Sequence, residues 1–210
     1  WSADGRLAWM SYRNNNGDIY VWDGEDVVNI SQYYGDDSHP RWSADGRLSW
    51  ESIRVDQLEI MVWDGEQIIN VSKNSSWDSF HLWGPDGRLA WLSDRDGHLT
   101  AYVWDGETIT RVSQGDSDVM NLAWSPDGRL SWQANDSGNI DLYIWDGEQV
   151  SKLAENPAGD FGPAWSADGR LAWIVETGAD RDWELYVRDG DSVSNISGSP
   201  GSDRDHVWSP

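Results

Sequence analysis

The chain repeats nearly the same nine residues five times: Trp1–Trp9, Trp42–Trp50, Trp83–Trp91, Trp124–Trp132 and Trp165–Trp173. Successive copies start 41 residues apart, and a fragment of a sixth, Trp208-Ser209-Pro210, starts 43 residues after the fifth. A fixed period near 40 residues means that one supersecondary unit is stacked on itself, each copy burying the face its neighbour exposes. The 210 residues therefore read as a single domain with repeats from about 1, 42, 83, 124 and 165, not as two unrelated halves.

The second copy shows what the unit is. His39-Pro40-Arg41-Trp42 is a short extended run, with Pro40 near its start where a missing N–H does least harm. Asp45-Gly46 is a tight-turn dipeptide, and Arg47 to Ser52 then alternates polar and apolar. Leu58 to Trp63 is rich in strand-forming residues, Asp64-Gly65 makes a second turn, and Glu66 to Val71 forms a fourth strand. Four short antiparallel strands in about 40 residues, with no helical period, predict one propeller blade. The fold class expected is all-β, a five-bladed propeller of four antiparallel strands per blade. The tail supports closure of that ring: Asp203 to Ser209 matches Asp37 to Ser43 in spacing, whereas the first copy has almost no first strand. Residues 203–210 are expected to clasp the first blade, so that Trp1 and Trp208 compete for one place. A strand-swapped oligomer would satisfy both ends, although the reading favours a monomer.

Of 17 Trp, all but Trp77 and Trp183 fall in three repeating columns, which supplies a core to an otherwise polar chain. In the fifth copy Arg188 replaces the Trp of the third column, and its aliphatic stem is expected to cover part of the lost contact. The net charge of −22 disfavours nucleic acid and anionic membranes, and turn aspartates account for much of it. There is no Cys, which removes disulfides, thiolate zinc sites and thiol nucleophiles. No apolar run is long enough for a membrane helix. The chain opens at Trp1 without Met and reads as a segment of a longer or processed protein, so its compartment is not legible.

Trp124-Ser-Pro-Asp-Gly-Arg-Leu130, together with Asp160-Phe-Gly-Pro-Ala-Trp165 and Ile140-Asp-Leu-Tyr-Ile-Trp-Asp-Gly147, resembles the TolB-type propeller repeat over essentially the whole chain. The Trp-Asp pairs such as Trp22-Asp23 are also similar to WD repeats, but the Gly-His dipeptide of those repeats is missing. The resemblance implies a protein-interaction or accessory domain, in some members an envelope or secreted one, and no catalytic residue. The family's usual ring has six blades; this chain has material for five.

Candidate partner-binding residues lie just before each repeat Trp. Asp37, Asp78, Asp160 and Asp203 stand five residues ahead of it; in the fourth copy Val119 takes that place, with Asp118 one residue earlier. On innermost strands these carboxylates would ring one channel mouth and attract a cation or a basic protein or peptide. The competing reading makes them caps for backbone N–H groups or partners of turn arginines. His39, His81 and His206 sit nearby, at offsets too irregular for a shared metal. Asn14–Gly17 and Asp94–Gly97 faintly resemble calcium loops but have no downstream bidentate Glu, so turn chemistry explains them better. No metal or other cofactor is expected.

The Trp columns, and especially Trp77, Trp183 and the pair Tyr33-Tyr34, are candidates for stacking on sugars, which makes a multivalent glycan-binding lectin the alternative. Hydrolase chemistry has the least support, with no nucleophile elbow, phosphate loop or zinc-protease helix. The reading is a non-enzymatic scaffold. The near-identity of the copies also fits a recently amplified or engineered array with no specific ligand.

Overall fold

The computed structural model describes residues 1–13, 15–135, 138–153, 158–177, 182–198 and 201–209. Asn14, in a loop noted above, lies outside them. Among the described residues all regular structure is β. The first sheet holds β1 (Leu7–Ser11), β2 (Asp18–Trp22) and β3 (Val27–Asn29). The second holds β4 (Asp37–Trp42), β5 (Leu48–Arg54), β6 (Gln57–Trp63) and β7 (Ile68–Asn70). The third holds β8 (Asp78–Trp83), β9 (Leu89–Ser93), β10 (Thr100–Trp104) and β11 (Ile109–Arg111). These three sheets form one compact unit, Trp1–Arg111. The second unit, Val112–Pro210, holds a fourth sheet of β12 (Val119–Trp124), β13 (Leu130–Ala134), β14 (Asp141–Trp145) and β15 (Val150–Lys152). Its other sheet is β16 (Asp160–Trp165), β17 (Leu171–Thr177), β18 (Asp182–Asp189) and β19 (Ser192–Asn195). Every sheet is an antiparallel meander in chain order.

Both repeated turns do what their sequences require. Gly46 sits at φ +87°, where a residue with a Cβ is strained, and its N–H donates to Ser43 O at 3.3 Å. Ser43 Oγ donates to the Asp45 carboxylate, and Arg47 Nη2 pairs with that carboxylate at 2.8 Å. In the second turn Asp64 Oδ1 accepts from the N–H groups of Glu66 and Gln67 at 2.8 and 2.7 Å. The aspartates that dominate the charge are therefore turn acceptors in these copies.

The middle Trp column is the core. Trp50, Trp91, Trp132 and Trp173 are at most 1% exposed. Each cluster spans consecutive sheets within its unit: Ile19, Val21 and Leu48 with Trp50; Ile60, Val62 and Leu89 with Trp91; Leu142, Ile144 and Leu171 with Trp173. The first column is used differently. Within each unit the turn arginine of one copy lies over the leading Trp of the next, Arg6 on Trp42 at 4.5 Å, Arg47 on Trp83 at 4.6 Å and Arg129 on Trp165 at 4.6 Å. In the fifth copy Arg188 turns its Nε to Gly190 O at 2.8 Å.

The strands β4, β8, β12 and β16, first in their sheets, share a bulge at which the ladder shifts register. Its residue has positive φ in each: His39, Phe80, Asn121 and Gly162. Asp205 in the tail repeats that dihedral at +57°. Among the described residues, however, 203–209 belong to no strand and the first sheet has three. The tail lies against the fifth sheet: Asp203 N donates to Trp183 O at 2.6 Å, Trp208 Nε1 donates to Ala164 O at 2.9 Å, and Arg170 covers Trp208 at 4.9 Å. It thus stands to the fifth copy as Trp83 stands to the second, whose Nε1 donates to Arg41 O.

Candidate functional site

The aspartates expected at a channel mouth are placed inside the sheets. Asp37 Oδ1 accepts from Trp50 Nε1 at 3.0 Å, Asp78 Oδ1 from Trp91 Nε1 at 3.0 Å, and Asp160 Oδ1 from Trp173 Nε1 at 2.9 Å. All three are wholly buried. Burial pushes the Asp37 carboxyl above the usual carboxylate range, against hydrogen bonds from Ser52, Ser31 and Trp50. Asp78 is also paired with Arg95 Nη2 at 3.1 Å. In the fourth copy Val119 takes the buried place and Asp118 is exposed. Asp203 is half-buried, and its Oδ2 has no partner. Position five before the Trp is thus an acceptor for an indole; only Asp118 and Asp203 reach the surface.

The structure brings two of the three histidines together through a residue that the sequence did not single out. Glu51 Oε2 lies 2.9 Å from His39 Nδ1, and Glu51 Oε1 lies 3.6 Å from His81 Nδ1. Glu51 Oε1 also accepts from Phe80 N at 2.8 Å. His81 is buried and neither ring nitrogen has a hydrogen-bond partner; at 3.6 Å its contact with Glu51 is electrostatic, too long for a hydrogen bond. Burial holds the imidazole of His81 below its ordinary pKa. Burial works to raise the Glu51 carboxyl, but His81, the Phe80 N–H and His39 bring it below its ordinary value. His39 and Phe80 project to solvent on the bulges, Phe80 68% exposed. Among the described residues no group of three or more His, Cys, Asp or Glu is arranged to hold a metal.

His206 lies in the second unit and aligns with His81, not with His39: each is three residues beyond the indole-binding Asp position. It borders a cleft of about 530 Å³ that Phe161, Gly162, Ile174, Trp183 and Arg204 also line. Trp183 is stacked on Phe161 at 4.9 Å and carries Arg204 over its ring at 4.7 Å, so it is not the open platform expected of it. Trp77 is half-exposed, and Tyr34 is exposed with Tyr33 tilted against it at 4.2 Å. Those tyrosines border a polar hollow of about 420 Å³ with Asn16, Asp18, Asn29 and Gln32.

A family model described as the TolB beta propeller domain matches residues 1–210. No curated protein matches the chain. Among solved structures, TolB from Acinetobacter baumannii is 22% identical with a TM-score of 0.57, over 91% of this chain and 51% of that one. The chain thus spans about half the length of that protein. A putative TolB from Agrobacterium tumefaciens is 21% identical with a TM-score of 0.59, over 93% of this chain and 78% of that one. The β-propeller domain of the Trilobed protease from Pyrococcus furiosus, described as having an open velcro topology, is 18% identical with a TM-score of 0.63, over 93% and 66%. At such identities the likeness is one of fold.

Proposed function

Because the chain belongs to the TolB beta propeller domain family, we propose that it is a non-enzymatic scaffold that holds a protein or peptide on the strand bulges of β4 and β8 in the first unit. The observation that carries this reading is Phe80, an aromatic ring left in solvent at φ +55° while its own N–H is held by Glu51. A large apolar side chain kept exposed on a braced backbone suits recognition better than stability. The net charge of −22 favours a partner that is basic as well as apolar. Calorimetric titration with a peptide alternating Lys and Leu tests this. Binding that weakens with salt and is lost in Phe80→Ser is expected; no binding, or binding indifferent to both, rejects it.

The proposal includes ring closure by residues 203–209 as the missing first strand of the first sheet. It is supported by the three-strand count of that sheet, by the repeated bulge dihedral at Asp205 and by the unpartnered Oδ2 of Asp203. Deletion of 203–210 is then expected to lower Tm by several degrees, and an unchanged Tm rejects closure. A glycan-binding reading draws on one observation, the carboxamides and paired tyrosines around the polar hollow at Asp18. A glycan array without hits, with Trp and Tyr fluorescence unmoved by sugars, removes it.

A further inference from the structure

The chain contains two copies of one histidine position, and only one of them is matched by a carboxylate. At His81 the residue following the core Trp of the preceding copy is Glu51, which reaches His81 Nδ1 and accepts the bulge N–H of Phe80. In the fourth copy the same position is Gln133, whose Oε1 accepts the bulge N–H of Gly162 and the amide of Asn121, both at 2.9 Å. Ahead of the tail the same position is Ile174, which has no acceptor to offer. The tail nonetheless carries the same set of groups: Asp205 at the bulge dihedral, then His206, whose buried Nε2 has no partner. Arg204 adds a guanidinium that lies on Trp183 and, among the described residues, is in no salt bridge.

The cleft at this point is shaped for more than an ion. Gly162 is the one bulge residue without a side chain, where the other copies place His39, Phe80 and Asn121. A Cβ there would already come within 3.8 Å of His206 Cε1, so a longer side chain would fill the space that the cleft occupies. Ile174, Phe161 and Trp183 give that space apolar walls, and its volume of about 530 Å³ admits one or two residues of a peptide. We propose that this cleft binds the C-terminal carboxylate of a peptide whose last side chain is apolar, the carboxylate taking the place that Glu51 occupies beside His81. The proposal rests on the partner-binding reading above and names the partner's chemistry. Arg204 and His206 supply the donors, the Phe161–Trp183 stack faces the side chain, and the exposed carboxylate of Asp205 opposes the anion.

The test is titration calorimetry of the 210-residue chain with acetyl-Gly-Gly-Phe as free acid and as C-terminal amide, and with phenylacetate. The free acid is expected to bind at least tenfold more tightly than either. Arg204→Gln should weaken the acid about tenfold and leave the amide alone. Asp205→Asn should tighten the acid, and Ile174→Glu should abolish its binding by supplying the carboxylate from within. Unchanged thermal melting of the three variants establishes that each is folded. Equal binding of acid and amide, indifference to Arg204→Gln, or no binding at all overturns the proposal; phenylacetate binding as tightly as the peptide overturns the peptide as the ligand. Failure of the Lys-Leu peptide with the acid still bound would remove the basic-partner reading alone.

Discussion

Trp50 Nε1 donates to Asp37 Oδ1 at 3.0 Å across the second sheet, and neither side chain is exposed. The pair joins the first strand of the sheet to the core and recurs at Asp78–Trp91 and Asp160–Trp173. Removing the acceptor leaves an indole N–H buried and unmet, a cost of about 1–3 kcal/mol. Asp37→Ala should therefore lower chemical-denaturation stability by that amount, and Asp37→Asn, which keeps an acceptor, by clearly less. Equal losses in the two variants would show that the bond contributes little.

The pH dependence of the same residue has a definite sign. The carboxyl of Asp37 is raised in the folded state, so folding is favoured by its protonation. The penalty for its charge is full at neutral pH, is relieved as pH falls through the folded pKa towards the ordinary value of 3.8, and returns as pH rises back through that window. The exposed turn aspartates act oppositely: hydrogen bonds from Arg170 and Ser166 bring Asp168 to about 2, so that its contribution is lost as pH falls from 4 towards 2. Guanidinium melts of the parent and Asp37→Asn at pH 4.5 and 7 should show a larger advantage of the parent at pH 4.5. A gap independent of pH would contradict the burial argument.

His81 should produce a separate loss of stability on acidification. Burial keeps its imidazole neutral, so its folded pKa lies below the ordinary 6.5, and the unfolded chain takes up the proton first. Stability is whole above about 6.5 and falls as pH drops below it. Glu51 resists this loss, whereas Arg41 and His39 promote it. His81→Gln should flatten Tm between pH 7.5 and 5.5 relative to the parent. A parent Tm already flat across that range would mean that His81 is protonated in the fold.

The blade, its turns and the core Trp column were legible because each lies within one copy and recurs at the 41-residue spacing. What escaped the sequence were pairings between copies. That Arg47 lies on Trp83 and not on its own Trp42 depends on how far one sheet is displaced from the next, which no spacing within a repeat encodes. The same holds for Glu51, which looked like an ordinary polar strand residue until β8 placed Phe80 and His81 beside it. The carboxylates seemed available because a charged residue is normally solvated; a buried indole donor 13 residues away reverses that expectation.

Arg47 also gives a measurable link between copies. Its guanidinium lies over Trp83 at 4.6 Å and Trp104 at 5.5 Å, and its Nη2 donates to Gly87 O at 2.7 Å. Arg47→Lys keeps the charge but forfeits the planar stack and the directed bond. A loss of about 1 kcal/mol is expected for Lys and a larger one for Ala. If Lys restores the parent stability in full, the link is charge alone.

Two turn glycines separate the cost of backbone strain from the cost of crowding. Gly87 and Gly106 both have positive φ, +82° and +108°, so an added Cβ is strained at either, by about 1 kcal/mol. Around Gly106 a Cβ would meet nothing within 4 Å. At Gly87 it would come to 2.7 Å from Arg47 Nη2, the atom that bonds the Gly87 carbonyl, and would push the guanidinium off Trp83. Gly87→Ala should therefore cost more than Gly106→Ala in a denaturation series, by roughly the value of the Arg47 link. In the background of Arg47→Ala the excess should vanish, because the crowding atom is gone. An excess that survives that double substitution would place the difference in the turn itself and not in the contact between copies.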